Sequence, residues 1–319
     1  MFSNGFRRAE LTRVVFPKLL RNFGSSPLVR SVKVDLKLLG KLRRETQVQI
    51  SKASEALQAT NNDYDLAIKW IEKDLLISGA KKADKFSGRA TTEGLVSLYT
   101  SPDKNSASII NLACETDFVS NNENFQELAF QMSDVSARIA GPELSSINID
   151  SILASSIASD PKTTVSSILI SAIGKMSENI SLKAAFGVNL SSRSGSPSYI
   201  STYIHSGNLT VSTSSDPSKK NGKLASIAVL HSEDPQVYTN PEFLRFARRI
   251  AQQAAGYKPG YLSPSVPSLN LGSDSDAVFL DMEFMFNTED QTGRTVGQAL
   301  SNISKSCNSQ VSIKSIAFI

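Results

Sequence analysis

The spacing of the apolar residues changes character partway along this chain, and that change limits the folds open to it. From Leu36 to Leu75 apolar side chains return every three or four positions, as in Leu36, Leu39 and Leu42, or Tyr64, Ile68, Ile71 and Leu75. That is the period of one face of an α-helix. Three short amphipathic helices are predicted, the last opening at Asn62 or Asp63, whose side chains can accept its unpaired N–H groups. After residue 94 the pattern becomes short β-branched runs, each pair followed by a helical stripe. "GLVSLYT" and "SASIINLA" flank the turn-rich "SPDKN" and read as a hairpin; Phe125, Leu128, Met132, Val135 and Ile139 then mark a helix. "SYISTYIHSG" and "KLASIAVLHS" repeat the hairpin across the polar loop "NLTVSTSSDPSKKNG", and "PEFLRFARRIAQQAAG" repeats the helix from Pro241 to Gly256.

The fold class is therefore α+β, an N-terminal three-helix domain followed by a core of two related hairpin-plus-helix subdomains. Between the hairpins, "TTVSSILISAIGKM" reads as a helix capped by Thr163 or Thr164 and "SENISLKAAFGVNL" as a strand, after a Ser-rich, weakly periodic stretch over 143–163. Near the end, "YKPGYLSPSVPSLNLGSDSD" reads as loop, "AVFLDMEFMFN" and "QVSIKSIAFI" as strands, and "GRTVGQALSNIS" as a helix. The basic, Gly-containing "SGAKKADKFSGRATTEG" reads as a connector. The expected division is 31–80 for the helices, 81–94 for the linker, 95–195 for the first core subdomain and 196–319 for the second.

Charge singles out the first 30 residues. Arg7, Arg8, Arg13, Lys18, Arg21 and Arg30 stand against Glu10 alone, a net +5, whereas the remaining 289 residues carry 28 basic and 29 acidic groups. The body thus has no excess that would attract nucleic acid directly. The leader's Arg-rich, acid-poor, Ser-containing composition, with Phe6, Leu11, Val14, Val15, Leu19 and Leu20 at helical spacing, reads as a mitochondrial transit peptide over 1–30. No later run reaches the length of a membrane span, so a soluble protein of the mitochondrial matrix is expected.

Enzyme signatures are sparse. Cys114 and Cys307 lie far apart, His205 and His231 are the only histidines, and neither a zinc pattern nor a phosphate-binding glycine loop occurs. No cofactor, metal or catalytic residue is assigned. Glu115 and Asp117 would share one face of a strand and could be combined with His205 into a hydrolase site, but solvated acids at a strand end explain them as well.

"LACETDFVSNNENF", residues 112–125, carries the most unusual feature: a strand that ends by presenting Asp117 and Phe118 side by side, bordering a polar patch. Phe118 either folds back under the following helix or stands out as an apolar anchor for a partner.

Taken with its flanks, this stretch resembles the translation elongation factor Ts family, mitochondrial type. The resemblance begins at "LLGKLRRETQVQISKASEAL" and "NNDYDLAIKWIEK". It runs through "KADKFSGRATTEGLVSLY", "NLACETDFVSNNENFQELA", "AIGKMSENISLKAA" and "SYISTYIHSG", and ends at "IAQQAAGYKPGYL" and "GRTVGQAL", covering most of residues 36–319. It implies that the three helices form a ubiquitin-associated-like domain. It also implies that the chain promotes GDP release from the GTPase elongation factor Tu, here the mitochondrial one, without catalysing covalent chemistry. Thr116, Asp117, Phe118 and Val119 would then approach the partner's magnesium and phosphate site, His205 would make a further contact, and Leu42, Arg43, Arg44, Thr46 and Val48 would dock on the GTPase domain. The other reading of the same surfaces is a mitochondrial adaptor or chaperone module without exchange activity.

The chain departs from the family pattern in places. After the first helix the family reads Thr-Gly-(Ala/Val)-(Gly/Pro)-Met; here Thr46, Gln47, Val48, Gln49 and Ile50 follow. Loss of the glycine, which reaches positive φ without cost, leaves the form of that turn and its docking surface open. Ala184 replaces the family's basic residue after Lys183. The Pro/Ser-rich segment 257–276 stands where bacterial members insert a long helical hairpin.

Overall fold

A computed structural model of the chain describes residues 32–192, 197–207, 216–271, 275–287 and 293–319. The transit peptide expected over residues 1–30 lies outside the described residues.

Three helices open the described chain: α1 (Leu36–Thr46), α2 (Ile50–Ala59) and α3 (Tyr64–Phe86). Asp35 caps α1 by accepting from the Lys37 and Leu38 N–H groups, and Asp63 caps α3 at 2.9 Å from the Leu66 nitrogen. Their apolar faces meet on Leu42, Val48, Ala53, Leu57, Ile71 and Leu75. The stretch read as a connector is helical as far as Phe86. Its low apolar content misleads because the face it buries is built from small residues, with Gly79 and Ala83 leading to the buried Phe86.

The rest is arranged as helices, sheet, sheet, helices. In chain order it comprises β1 (Glu93–Thr100), β2 (Ser106–Cys114), the single turn α4 (Asp117–Ser120), α5 (Glu123–Ile139), β3 (Ser145–Ser146), α6 (Ile149–Ala154), α7 (Val165–Met176) and β4 (Ser181–Asn189). There follow β5 (Ser198–His205), β6 (Lys219–Gly222), β7 (Leu224–Ser232), α8 (Pro241–Tyr257), β8 (Tyr261–Ser263), β9 (Val266–Pro267), β10 (Leu269–Asn270), α9 (Val296–Ser306) and β11 (Val311–Phe318). One sheet has the order β3-β4-β2-β1-β6 and the other β10-β11-β7-β5. Both bury two faces, which strand alternation makes possible. Val96, Leu98, Ile109 and Phe186 meet Ile200, Ile227 and Val229 between the sheets. Leu95, Ile110 and Leu112 face the other way, under α5, α6 and α7, and Leu230, Ile313 and Ile316 lie under α8 and α9.

Both expected hairpins form, with β1 antiparallel to β2 and β5 antiparallel to β7. Within the second hairpin's loop, of which 208–215 lie outside the described residues, β6 leaves its own hairpin and pairs with β1 of the first sheet. "AVFLDMEFMFN" is not a strand. It forms a tight helical turn at Phe279–Asp281, and Phe279 and Phe284 plug the core beneath α8 and α9. On the side of β11 away from β7, β10 pairs in parallel with Ala317 and Phe318. That short strand lies inside the segment read as loop.

The helical arm and the core meet along α3 and α7. At Gly79 and Gly174 the two backbones come so close that a Cβ on Gly79 would stand 2.1 Å from the Ile170 carbonyl oxygen. Beside that contact, Lys82 Nζ donates to the Gly174 carbonyl at 2.8 Å and to Ser177 Oγ at 2.9 Å, tying α3 to the open C-terminus of α7.

Candidate functional site

Strand β2 delivers the chain to the surface at Cys114, and the next five residues are held by side chains from elsewhere in the sequence. Both oxygens of Glu178 accept from Thr116: Oε2 from the backbone N–H at 3.1 Å and Oε1 from the hydroxyl at 2.6 Å. Glu115 turns inward, where Oε1 accepts from the Asn179 N–H at 2.7 Å and from Arg89 Nη1 at 3.3 Å. The Cys114 thiol donates to the Thr116 carbonyl at 3.1 Å. Burial, reinforced by the nearby Glu178 carboxylate, pushes that thiol's pKa up to about 12, so it is a structural hydrogen-bond donor and not a nucleophile.

Thr116 caps α4, and the polar residues that follow close the turn. Ser120 Oγ and Asn121 Nδ2 each donate to the Asp117 carbonyl at 2.9 Å, and the Asn122 N–H donates to the Val119 carbonyl at 3.0 Å. This is the work of the asparagine patch: it satisfies backbone groups of a turn too short to satisfy its own. Val119 points into the core under α5, whereas Phe118 points out with 84% of its surface exposed. Of the two open readings for Phe118, the structure adopts the outward one. The exposed Asp117 carboxylate beside it makes no hydrogen bond or ion pair among the described residues.

The turn is also bridged to the helical arm. Gln47 supplies the left-handed residue after α1 that the missing glycine would have supplied, with φ 54° and ψ 22°. Its side-chain oxygen accepts from Asn124 Nδ2, and Asn124 in turn bonds the Asn122 side chain that caps α5. The turn therefore survives the departure from the family pattern, at the expense of an L-residue in a conformation that disfavours it by about 1–2 kcal/mol.

The remaining candidates divide. Arg43 and Arg44 are exposed on α1, and Thr46 is half-buried with its hydroxyl donating to the Leu42 carbonyl at 2.7 Å. Leu42 and Val48, expected at the docking surface, are sealed in the interior of the three-helix unit, because so small a core needs both. On α1 and α2 the large apolar groups exposed are Leu36 and Ile50, at 77% and 56%. Leu36, read as part of the first helix's apolar stripe, stands at the helix start beyond the core, and Ile50 was not selected by sequence reasoning. Ile50 was signalled by the Gln49–Ile50 pair at the helix start, outside the apolar stripe. His205 ends β5 on the edge of the second sheet, exposed, opposite Leu224 of β7, and its carbonyl accepts from the Lys223 N–H at 2.8 Å. A hydrolase grouping of Glu115, Asp117 and His205 is not assembled: Glu115 is occupied by Arg89 and Asn179, and His205 bonds neither acid among the described residues. No three His, Cys, Asp or Glu side chains gather into a metal-sized cage among the described residues.

The site is thus an outward-facing turn, held by Glu178 at Thr116 and by the buried Val119, that presents Phe118 and Asp117 at the surface. Comparison with known proteins gives the chain a family. Residues 115–279 match the sequence model of the family described as "Elongation factor TS". The chain is 32% identical to "Elongation factor Ts, mitochondrial" of Laccaria bicolor, with 92% of this chain and 90% of that protein covered. It is 29% identical to the protein of the same name from Mus musculus over 74% of this chain and 72% of that one. "Elongation factor Ts" of Nostoc punctiforme is 29% identical over 70% and 62% respectively. The matched span begins at Glu115 and so takes in the whole of the clamped turn. On that match, and on likeness over nearly its full length to the Laccaria protein, the chain belongs to the elongation factor Ts family of translation factors.

Proposed function

We propose that this protein is a non-catalytic guanine-nucleotide exchange factor of the mitochondrial matrix that binds mitochondrial elongation factor Tu in its GDP form and speeds GDP release during translation elongation. Family membership and the mitochondrial names of its relatives support the partner and the compartment. The exposed Phe118, seated on a turn anchored by Glu178 and Val119, is the observation that carries the mechanism.

In this reading the ubiquitin-associated-like helices of residues 31–80 dock on the GTPase domain through Arg43, Arg44 and Ile50, with Leu42, Thr46 and Val48 shaping that surface from beneath. The segment Thr116–Val119 reaches the partner's magnesium and phosphate site, and His205 makes a separate contact from the second subdomain. The two sheets, each with its own helical cover, support a core divided at about residue 195. No direct contact with nucleic acid or membrane is part of the mechanism.

An exchange factor binds its partner better without nucleotide than with it, and linkage makes the nucleotide's affinity fall by the same factor. A ten-thousandfold loss of GDP affinity needs about 5.5 kcal/mol of differential binding. Burying one phenylalanine supplies about 1.5–3 kcal/mol. The remainder comes from the Asp117 carboxylate disturbing the magnesium site and from the wide grip of the helical arm and second subdomain.

The test is release of labelled GDP from mitochondrial elongation factor Tu. Phe118→Ala, which removes an exposed side chain, leaves thermal stability within about 0.5 kcal/mol of wild type but slows exchange about 10- to 100-fold. Equal release rates would remove Phe118 from the mechanism.

A further inference from the structure

Lys175 sits in the last turn of α7 between two crevices. One, of about 230 Å³, opens between α5 and α7 and is bordered by Asn124, Leu128 and Ile168. The other, of about 90 Å³, lies between α7 and the helical arm at Val48 and Lys82. The side chain is half-buried, yet its ammonium has no carboxylate within ion-pair distance and no hydrogen-bond acceptor among the described residues. Its neighbours are committed elsewhere. Lys52 pairs with Asp74 and Glu55, and Lys82 uses its donors on Gly174 and Ser177; Glu127, which lines the larger crevice too, accepts from Gln131 and lies beyond ion-pair distance of Lys175. Burial lowers the Lys175 pKa, as it must when nothing compensates the charge.

A half-buried cation without a partner is a cost to the folded chain unless something outside it supplies the anion. Support for the negative end of α7 is the alternative use, since a lysine in a last turn is favourable there. That role is already filled by Lys82, whose ammonium bonds the α7 carbonyl directly. The crevice also borders Asn124, the residue that bridges Gln47 to the cap of α5 just beyond the Phe118 turn.

We propose that Lys175 is an anchor for an acidic side chain of the GTPase partner, which enters the crevice between α5 and α7 while Phe118 engages the same partner next to it. The proposal rests on the exchange-factor reading and adds a contact to it. A carboxylate in that crevice gains a charge-assisted bond in a partly desolvated setting, where such bonds are strong. The apolar Leu128 and Ile168 give its aliphatic stem a wall to lie against.

Affinity for nucleotide-free mitochondrial elongation factor Tu, measured at low and high salt with the full chain, tests this. Lys175→Met weakens binding about tenfold at low salt and flattens the salt dependence, whereas its melting temperature equals or exceeds that of wild type because an uncompensated charge is gone. Lys175→Arg retains most of the affinity. Lys162→Met, three residues before the first residue of α7 and so beyond the helix end opposite Lys175, serves as the control for general charge. The proposal is overturned if Lys175→Met binds as wild type does, if Lys162→Met weakens binding equally, or if Lys175→Met melts several degrees lower. Wild-type GDP release is measured alongside. If it proceeds while Lys175→Met is unaffected, only this contact falls; if it does not proceed, the exchange reading falls and this proposal with it.

Discussion

Replacing Gly79 with alanine should detach the helical arm from the core without unfolding either. A Cβ there would lie 2.1 Å from the Ile170 carbonyl oxygen and 3.0 Å from the Ile170 Cγ2. Ordinary contact begins near 3.4 Å, so α3 and α7 must separate by about 1 Å, enough to stretch both bonds from Lys82 across the seam. Overpacking of this kind costs about 1–3 kcal/mol, and the better helix propensity of alanine returns at most about 1 kcal/mol. The net is a seam weakened by about 1–2 kcal/mol, which is a 5- to 30-fold change in an opening equilibrium. Amide hydrogen exchange resolves this by segment: α3 and α7, the two helices of the seam, should exchange faster by up to that factor while α5 and α8 keep wild-type protection. GDP release should slow as well, because arm and turn no longer meet the partner in one frame. Gly40→Ala is the matched control, since nothing lies within 4 Å of its Cβ and the change should only stabilise α1. If Gly79→Ala leaves the arm as well protected as Gly40→Ala does, close backbone approach is not why glycine stands there.

Other changes follow from the same geometry. Gln47→Gly relieves the left-handed conformation and should raise stability by up to about 1 kcal/mol, yet slow GDP release by cutting the bridge to Asn124, and a thermal melt paired with an exchange assay separates the two effects. Glu178→Ala leaves the half-buried Thr116 N–H and hydroxyl without acceptors and should cost about 1–3 kcal/mol in denaturant unfolding, with Glu178→Gln recovering part of it. Cys114 ionises near pH 9 when unfolded but only at about 12 when folded. Its contribution to stability is therefore whole below pH 9 and lost progressively from there to 12, and Cys114→Ala should flatten the alkaline fall in unfolding free energy relative to wild type.

Much of the fold was readable because its elements obey one period each. The stripe from Phe125 to Ile139 reads as a buried helix face, and it is one as far as Val135, with Ile139 at the helix end exposed. Asp63, Thr164 and Pro241 stand where the caps and helix start were expected. The misreadings share a cause. Residues 78–86 looked like linker because α3 packs there through glycine and alanine, and a pattern made of large apolar residues is blind to a face made of small ones. Residues 277–287 looked like a strand because Phe279 and Phe284 are as apolar as strand residues. What decided otherwise was that Phe279 and Phe284 fill the core beneath α8 and α9 while β10, seven residues earlier, pairs with the end of β11, long-range facts no local pattern holds. Leu42 and Val48 were assigned outward by resemblance, although their own periodicity with Ala53 and Leu57 pointed inward.

At the site the residues were legible but their orientation was not. Whether Phe118 faces in or out depends on Val119, one position on, filling the space under α5, and on Glu178, 60 positions on, fixing Thr116 at both its nitrogen and its oxygen. With Val119 inside, one residue's step along the helical turn carries its neighbour about 100° round, to the outside. An exposed phenylalanine gains nothing for the folded chain, and a loose turn would let it collapse onto the surface it leaves. On the exchange-factor reading proposed above, the clamp does more than stabilise the turn: it lowers, at the binding step, the entropic cost of holding an aromatic ring away from its own protein. On that reading Glu178, whose carboxylate is spent on Thr116, acts on affinity through Phe118, and Glu178→Ala should lose most of its effect on binding once Phe118 is already alanine.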